Sequence, residues 1–328
     1  MNRAPTFWWA RRPSTTALLL SPAAFAWGSV AARRMRRPGW DCGIPVICIG
    51  NFVAGGAGKT PVAIAAAEIL KQAGAKPFFL SRGYGGRAGT TPVIVDPASH
   101  RARDIGDEPL LLVQAAPTIV CADRIAGAKA AIQNGATAIV MDDGLQNPSL
   151  RKRLGIAVVD AALGAGNGMC IPAGPLRAPM EAQWPEIGAL ISLGREPGGS
   201  GLREKAREIN KPVFDACLQP DSAIARRLAG LRIFAFAGIG HPEKFFATLA
   251  ETGAVVVGTK AFGDHHAFTP RELEELSLQA QKNRASLITT EKDAARLPSS
   301  FKTEVLPVRA VFSDPLGFAA LIVHAAKD

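Results

Sequence analysis

The chain has 328 residues, enough for two domains, and 48% hydrophobic residues make it slightly apolar for a globular protein. A net charge of +10 favours an anionic partner, and nucleic acid is the weaker choice because no basic run is interleaved with aromatic residues. The five scattered cysteines, none in C-x-x-C spacing, indicate neither a disulfide framework nor a zinc site, and they fit a reducing compartment.

An apolar segment near the N-terminus, residues 15–32, lies between two clusters of arginine residues. Its length is marginal for crossing a bilayer. The basic flanks and the nearby tryptophans are typical of a helix held at an anionic membrane surface. A signal peptide with the cleavage site Ala24-Phe25-Ala26 and a buried core helix are the alternatives. We predict a membrane-associated helix with basic flanks over residues 1–40.

A glycine-rich turn joins a strand pattern at residues 45–49 to a helix pattern at residues 61–70. Such a turn lets backbone N–H groups converge on a phosphate at the N-terminus of a helix. We predict that Lys59 reaches the terminal phosphates of a nucleotide and that Thr60 ligates Mg²⁺. Val53 stands where the strict pattern has its first glycine, so an ordinary turn is the alternative. The predicted nucleotide-binding residues are Val53, Ala54, Gly55, Gly56, Ala57, Gly58, Lys59 and Thr60.

Beyond this loop, short apolar runs alternate with helical patterns, which predicts a mostly parallel sheet flanked by helices. A second set of alternating strand and helix patterns starts near Leu231. We therefore predict an α/β protein with a P-loop NTPase-like domain over residues 41–230 and a smaller C-terminal α/β domain over residues 231–328. A nucleotide and a second substrate would meet in the cleft between the domains.

Two adjacent carboxylates, Asp142 and Asp143, follow an apolar strand pattern, at the edge where open α/β sheets bind ligands. One of them would hold Mg²⁺ directly or through water, and the other could orient a ligand or the nucleophile. The Asp-Asp-Gly sequence is also a good turn, so a purely structural role is the alternative.

Other polar residues could serve a phosphoryl transfer to an alcohol, which needs a group that orients or deprotonates the hydroxyl. The adjacent His265 and His266 could supply it with a carboxylate from across the cleft, although exposed loop histidines are the commoner outcome. Asp107 by itself fits a helix N-cap. Arg82 and Arg177 lie in glycine-rich or proline-rich turns and could hold phosphate.

Several short motifs stand in a specific order along nearly the whole chain. They are Gly50-Asn51, Gly55-Gly56-Ala57-Gly58-Lys59-Thr60-Pro61, Ser81-Arg82-Gly83-Tyr84-Gly85-Gly86, Gly106-Asp107-Glu108-Pro109, Asp142-Asp143-Gly144-Leu145-Gln146, Gly166-Asn167-Gly168, Pro172-Ala173-Gly174-Pro175-Leu176-Arg177, Ala237-Gly238-Ile239-Gly240, Asp264-His265-His266 and Thr289-Thr290-Glu291-Lys292-Asp293. This order resembles the tetraacyldisaccharide 4'-kinase family of the lipid A pathway of Gram-negative bacteria.

The resemblance implies transfer of the γ-phosphate of ATP, with Mg²⁺, to the 4'-hydroxyl of tetraacyldisaccharide 1-phosphate, giving lipid IVA. It also implies a monotopic enzyme at the cytoplasmic face of the bacterial inner membrane. Its partners would be this lipid substrate and anionic membrane lipids, with no nucleic acid and no obligate protein partner.

The resemblance also implies roles for individual residues. Carried over by position, the metal residues are Thr60, Glu108, Asp142 and Asp143, the catalytic residues are Lys59, Asp107 and His265, and the substrate-binding residues are Arg82, Asn167 and Arg177. His265 is preferred to His266 as the partner of Asp107. The chain departs from the family at Leu145, Asn147 and Ala178, where auxiliary substrate contacts would lie.

Two alternatives come from other functional classes. A membrane-associated regulatory ATPase with a deviant phosphate loop would carry a second lysine near the start of the loop, where this chain has Ala54. A nucleotide-gated membrane adaptor without turnover would need neither Asp107 nor His265.

Overall fold

The computed structural model describes residues 4–10, 12–56, 58–194 and 200–327. Its helices are α1 (Thr15–Leu19), α2 (Ser21–Met35), α3 (Lys59–Gln72), α4 (Ala102–Ile105), α5 (Asp107–Leu112), α6 (Arg124–Gln133), α7 (Met180–Gln183), α8 (Ser200–Glu208), α9 (Ser222–Leu228), α10 (Pro242–Glu251), α11 (Pro270–Lys282), α12 (Glu291–Ala294) and α13 (Pro315–Lys327), with short 3-10 helices at Thr6–Trp9 and Trp184–Glu186. Its strands are β1 (Val46–Gly50), β2 (Pro77–Ser81), β3 (Val93–Ile94), β4 (Thr118–Val120), β5 (Ala138–Asp142), β6 (Leu154–Asp160), β7 (Ala189–Leu193), β8 (Val213–Pro220), β9 (Arg232–Ala237), β10 (Val255–Ala261), β11 (Ser286–Thr290), β12 (Glu304–Leu306) and β13 (Val308–Phe312).

The larger sheet has the strand order β13-β8-β7-β6-β1-β5-β2-β4-β3. Its edge strands β13 and β3 run antiparallel to their neighbours, and the strands between β8 and β4 are parallel. Helices cover both faces, and β1, β2 and β5 are buried along their whole length, which is why these strands are apolar runs and not alternating ones. The predicted mostly parallel, helix-flanked sheet is confirmed.

The centre of this sheet brings two predicted motifs together. Val62 and Leu70 of α3 pack in the core on one face, while Ala128 and Ala131 of α6 pack in the core on the other. Strands β1 and β5 pair in parallel, with Ile49 opposite Asp142. The glycine-rich loop after β1 and the acidic pair at the end of β5 therefore lie side by side.

A second, smaller sheet has the strand order β10-β9-β11-β12 and is parallel throughout. Phe245 and Leu249 of α10 pack in the core on one face, and Leu273 and Leu276 of α11 pack in the core on the other. Leu228 of α9 joins the first of these cores. Each face of the sheet therefore has its own apolar cluster.

The last strand and helix return to the larger sheet, although the sequence pattern assigned all of residues 231–328 to the smaller domain. Strand β13 pairs with β8, and Phe318 and Ile322 of α13 are fully buried in the core that contains α3. The chain enters the smaller unit at Asp221 and leaves it at Pro307, and the backbone N–H of Asp221 donates a hydrogen bond to the Pro307 carbonyl at 2.9 Å. The smaller unit is thus an insertion in the larger one.

The N-terminal segment forms α1 and α2, which pack with one face against the larger unit. Gly28 lies against Pro179 and Cys170, because a side chain there would meet both residues. The opposite face exposes Leu19, Phe25 and others, with 78% of each of these two residues accessible to solvent. Helices α1 and α2 therefore lie on the surface of the protein, and the alternative of a buried core helix is wrong. Within the described residues, no helix combines the length and apolar character that crossing a membrane requires.

Candidate active site

The glycine-rich loop after β1 is pinned to the segment that ends at Arg177. The N–H of Ala54 donates to the Pro175 carbonyl at 2.8 Å, and the N–H of Arg177 donates to the Phe52 carbonyl at 3.0 Å. Val53 forms a strand-like bridge with Leu176 and is buried. This bridge suits a β-branched residue, which explains why valine stands where the strict motif has glycine.

The tip of the loop has open space above its backbone. Gly55 and Gly58 have positive φ angles of 118° and 73°, which favour glycine. A Cβ atom added at Gly55 or Gly56 would meet nothing within 4 Å, so both backbones face free volume. Ala57 lies outside the described residues. Thr60 is half-buried in the first turn of α3. The loop can therefore present N–H groups to an anion.

Lys59 is the buried cation beneath this loop, with only 6% of its surface exposed. Its Nζ lies 3.5 Å from the Gly55 carbonyl oxygen and 3.6 Å from Oδ2 of Asp143. The ammonium therefore bridges the glycine-rich loop and the acidic pair, the position from which it could contact a phosphate bound at the loop.

Asp142 is a buried carboxylate without a hydrogen-bond partner among the described residues: neither side-chain oxygen accepts a bond, and 2% of the residue is exposed. Burial, and secondly the charge of Glu108, raise the pKa of Asp142 to about 8, against the opposing effect of Lys59. The described residues contain no group of three or more metal-ligating side chains. Mg²⁺, however, is commonly held by one or two carboxylates plus substrate phosphates. The unpartnered carboxylate of Asp142, close enough to Glu108 to feel its charge, fits such a cation.

Asp143 is paired with a guanidinium. Its φ of 54° is unusual for a residue other than glycine, and its N–H donates to the Ile49 carbonyl at 2.8 Å. Arg177 donates through both terminal nitrogens, at 2.5 Å to Oδ1 and 2.8 Å to Oδ2. Burial would raise the pKa of Asp143, but Lys59 and then Arg177 outweigh it and hold the pKa well below its usual range. Asp143 is therefore a carboxylate shared by two cations.

The two units meet at Asp107 and His265, which are joined by a 3.0 Å contact between Oδ2 and Nδ1. Asp107 is the first residue of α5 and not its N-cap, which is Gly106, and only 3% of Asp107 is exposed. Arg296 also approaches Oδ2, with its Nε at 3.3 Å. Burial raises the pKa of Asp107, but the hydrogen bond from His265 and the charges of Lys292, His265 and Arg296 lower it overall.

His266 faces away from Asp107. Its Nε2 lies 3.0 Å from the carboxylate of Glu272, and its ring stacks on Phe262 at 4.7 Å between centroids. Of the two adjacent histidines, His265 is thus the one that the structure brings to Asp107.

Two basic residues of the site had no predicted role. Lys292 lies 3.2 Å from Oε1 of Glu108 and 3.3 Å from Nε2 of His265. Arg296 bonds to Asp293 at 2.7 Å as well as approaching Asp107. Lys292 belongs to the Thr289–Asp293 motif noted in the sequence, so that motif was the available signal.

The three predicted substrate-binding residues lie in different settings. Arg82 is exposed and close in sequence to Tyr84, whose ring meets that of His265 edge-on at 5.4 Å. Arg177 is engaged with Asp143. The Asn167 amide donates to the Phe7 and Ala173 carbonyls and accepts from the Met169 N–H, so it stabilises its own loop. Within the part of the chain that the structure describes, no hydrogen bond or ion pair links Asn167 to Lys59, Asp142 or Asp107.

Two of the three residues at which the chain departs from the family pattern are packing residues. These two, Leu145 and Ala178, are fully buried. The Leu145 side chain fills the space beside Gly50, where an added Cβ would lie 2.6 Å from it. Gln146 donates to the Asn51 carbonyl at 2.7 Å and so supports the glycine-rich loop. Asn147 accepts from the Ser149 N–H.

Known proteins match this chain in both sequence and fold. The family model LpxK, described as Tetraacyldisaccharide-1-P 4'-kinase, matches residues 16–327. A tetraacyldisaccharide 4'-kinase of Methylobacterium radiotolerans is 53% identical over 314 residues, which cover 95% of each chain. Another, of Methylobacterium nodulans, is 52% identical over 313 residues, covering 95% of this chain and 93% of the relative.

A solved structure has the same fold. The crystal structure of LpxK from Aquifex aeolicus in complex with ATP aligns with a TM-score of 0.73 and 22% identity, covering 94% of this chain and 99% of that one. The family model and the relatives match over nearly the whole chain, and the fold agrees with that of the solved structure. The chain therefore belongs to the tetraacyldisaccharide-1-P 4'-kinase family.

Proposed function

We propose that the protein transfers the γ-phosphate of ATP to the 4'-hydroxyl of tetraacyldisaccharide 1-phosphate, giving lipid IVA in lipid A biosynthesis. The observation that carries the proposal is the meeting of two half-sites. Lys59 and Asp142 lie beside the glycine-rich loop of the larger unit, and the Asp107–His265 contact joins that unit to the smaller one.

The nucleotide half-site provides positive charge and open N–H groups. Gly55 and Gly56 face free volume, and Lys59 lies beneath them to contact the terminal phosphates. Thr60, Asp142 and Glu108 would hold Mg²⁺, whose charge, when bound, offsets that of the phosphates. Asp143 completes this half-site by orienting Lys59, since it is held in place by Arg177.

The acceptor half-site provides groups that can take up the proton of the 4'-hydroxyl. Transfer forms a bond from the 4'-oxygen to the γ-phosphorus and breaks the bond from that phosphorus to the oxygen of the departing ADP. The hydroxyl proton must leave, and the Asp107–His265 pair is the candidate acceptor. Lys292 and Arg296 help to keep Asp107 ionised and therefore able to accept a hydrogen bond from the hydroxyl.

We also propose that α1 and α2 rest on the cytoplasmic face of the inner membrane, beside anionic lipids. The exposed apolar side chains of Leu19, Phe25 and Val30 would enter the interface, and the arginines at the end of α2 would contact lipid phosphates. The indole N–H of Trp27 donates to the Arg177 carbonyl at 3.3 Å, so this helix lies next to the active site. A lipid substrate could thus reach the site without leaving the membrane.

The activity is tested by phosphate transfer from γ-labelled ATP to detergent-dispersed tetraacyldisaccharide 1-phosphate, with and without Mg²⁺. We expect Mg²⁺-dependent labelling of the lipid that collapses in Asp107→Ala and is abolished in Lys59→Ala and Asp143→Ala. ATP hydrolysis without lipid labelling would favour the regulatory ATPase instead. Full turnover in Lys59→Ala or Asp143→Ala would refute the site assignment.

Membrane attachment is tested separately by sedimentation with vesicles that contain anionic phospholipid. Phe25→Asp should reduce the bound fraction, because it places a charge on the proposed insertion face. Leu316→Asp is the matched control, since Leu316 is 82% exposed on α13, in another part of the fold. Equal binding by wild type and Phe25→Asp would contradict the proposed orientation.

A further inference from the structure

Lys292 connects the two half-sites, and its contacts go beyond the effect of its charge on Asp107. It lies on α12, in the smaller unit, and its Nζ contacts Glu108 of the larger unit at 3.2 Å. The same Nζ is 3.3 Å from Nε2 of His265, the ring nitrogen opposite the one that faces Asp107. Its side chain is 20% exposed. One ammonium group therefore contacts the proposed catalytic histidine and a carboxylate across the cleft.

The chemistry of this contact determines where the His265 proton lies. An ammonium group has three donors and no acceptor. Lys292 lies within hydrogen-bond distance of Nε2 at 3.3 Å, whereas the Asp264 carboxylate lies beyond it at 3.9 Å, so Nε2 offers its lone pair to Lys292 and the proton of the neutral ring lies on Nδ1. That proton points to Oδ2 of Asp107 at 3.0 Å. The hydrogen bonds thus run in one direction, from Lys292 to His265 to Asp107.

The helix that carries Lys292 is firmly placed by its neighbour Asp293, which is fully buried. The Asp293 carboxylate accepts from the Gly238 N–H at 2.9 Å, from the Thr290 hydroxyl at 2.6 Å and from Arg296 at 2.7 Å. Gly238 in turn accepts from the N–H of His265 at 3.1 Å through its carbonyl. The backbones of the lysine and the histidine are therefore held in one network.

We propose that Lys292 is a positioning residue that acts together with Asp107 to hold His265 in the tautomer with its proton on Nδ1, because it occupies Nε2 and keeps that nitrogen from turning to the Asp264 carboxylate. The same ammonium holds Glu108 across the cleft and so keeps the two half-sites in register. The effect of Lys292 on turnover rests on the function proposed above, whereas its effect on the tautomer of His265 does not.

The test is nitrogen NMR of the histidine side chains in the full-length protein without nucleotide or metal, at a pH where the imidazole is neutral. A His265→Asn variant assigns the signals. Wild type should show an unprotonated Nε2 and a protonated Nδ1, because Lys292 donates to Nε2. Lys292→Met removes that donor and leaves Nε2 facing the Asp264 carboxylate at 3.9 Å, so Asp264 then competes with Asp107 for the ring proton and part of the population should move to the tautomer protonated on Nε2. Lys292→Arg, which keeps donors and charge, should restore at least part of the wild-type signal.

Kinetics give the second readout. In Lys292→Met we expect kcat to fall on the order of tenfold to a hundredfold with the KM for ATP changed less than about twofold, because the nucleotide loop is untouched. Lys292→Arg should recover part of kcat. Lys282→Met is the matched control, since Lys282 lies exposed in the last turn of α11, and it should behave as wild type in both measurements.

Three outcomes would overturn the proposal. The first is a wild-type His265 signal in Lys292→Met, whatever its activity. The second is an Nε2-protonated ring in the wild type. The third is an equal loss of signal in the Met and Arg variants with a lowered melting temperature, which would make the role merely structural. A wild type that lacks kinase activity but shows the Lys292-dependent tautomer would instead refute the proposed function and leave the positioning role intact.

Discussion

Arg177 should control how tightly the protein binds ATP, although it need not touch the nucleotide. Its guanidinium holds both oxygens of Asp143 and keeps that carboxylate 3.6 Å from the Lys59 ammonium. In Arg177→Gln the fork is lost, so Asp143 can close on Lys59. The lysine would then be occupied by an internal partner and would be less available to a phosphate.

The size of the effect follows from the distance. If the carboxylate moves from 3.6 Å to an ordinary charged hydrogen-bond distance of about 2.8 Å, its attraction to Lys59 grows from about 4.6 to about 5.9 kcal/mol at an effective dielectric constant of about 20. The difference of about 1.3 kcal/mol must be overcome when phosphate displaces Asp143. It corresponds to a Kd for ATP about tenfold higher.

The assay is equilibrium titration with ATP in the absence of Mg²⁺, so that metal binding does not contribute. Arg151→Gln is the matched control, because Arg151 forms a 3.0 Å pair with Asp41 in which both side chains are mostly exposed. This control should bind ATP as the wild type does. Unchanged or tighter ATP binding by a folded Arg177→Gln would refute the reasoning.

Three further results are expected. Asp107→Asn should lower kcat by about 10²- to 10⁴-fold in steady-state assays while ATP affinity stays the same, because the carboxylate serves the acceptor side. Phe52→Ala should cost about 3–5 kcal/mol in urea unfolding, since the ring is fully buried and packs edge-on to Trp184. The Thr269 N–H and secondarily His266 lower the pKa of Glu272 from 4.5 to about 2. Its stabilising effect is therefore complete above about pH 4.5 and is lost as the pH falls toward 2, so the difference in unfolding free energy between wild type and Glu272→Gln should disappear over that range.

The parts of the site that lie next to regular structure were predictable from the sequence. Lys59 follows a glycine-rich turn between strand and helix, and Asp142 ends an apolar strand, so local patterns placed both at the same edge of a parallel sheet. The structure shows this adjacency through the pairing of Ile49 with Asp142. The fold class was predictable for the same reason, because alternating strand and helix patterns leave few arrangements.

The contacts between distant segments were not predictable from local patterns. Lys292 reaches Glu108 across 184 positions, and Arg177 reaches Asp143 across 34. Such contacts depend on how the smaller unit docks and on how a proline-rich loop folds back. The position of α13 is a similar case: its apolar face predicts burial but does not specify which of the two sheets covers it.

The adjacency of Asp221 and Pro307 determines how the smaller unit can move. Because the chain enters and leaves through neighbouring residues joined by a 2.9 Å hydrogen bond, the covalent connection between the unit and the rest of the molecule lies at one place. A rotation of the smaller unit about that connection would carry His265, Lys292 and Arg296 together. It would separate His265 from Asp107 in one movement, while the nucleotide loop stays fixed to the larger sheet.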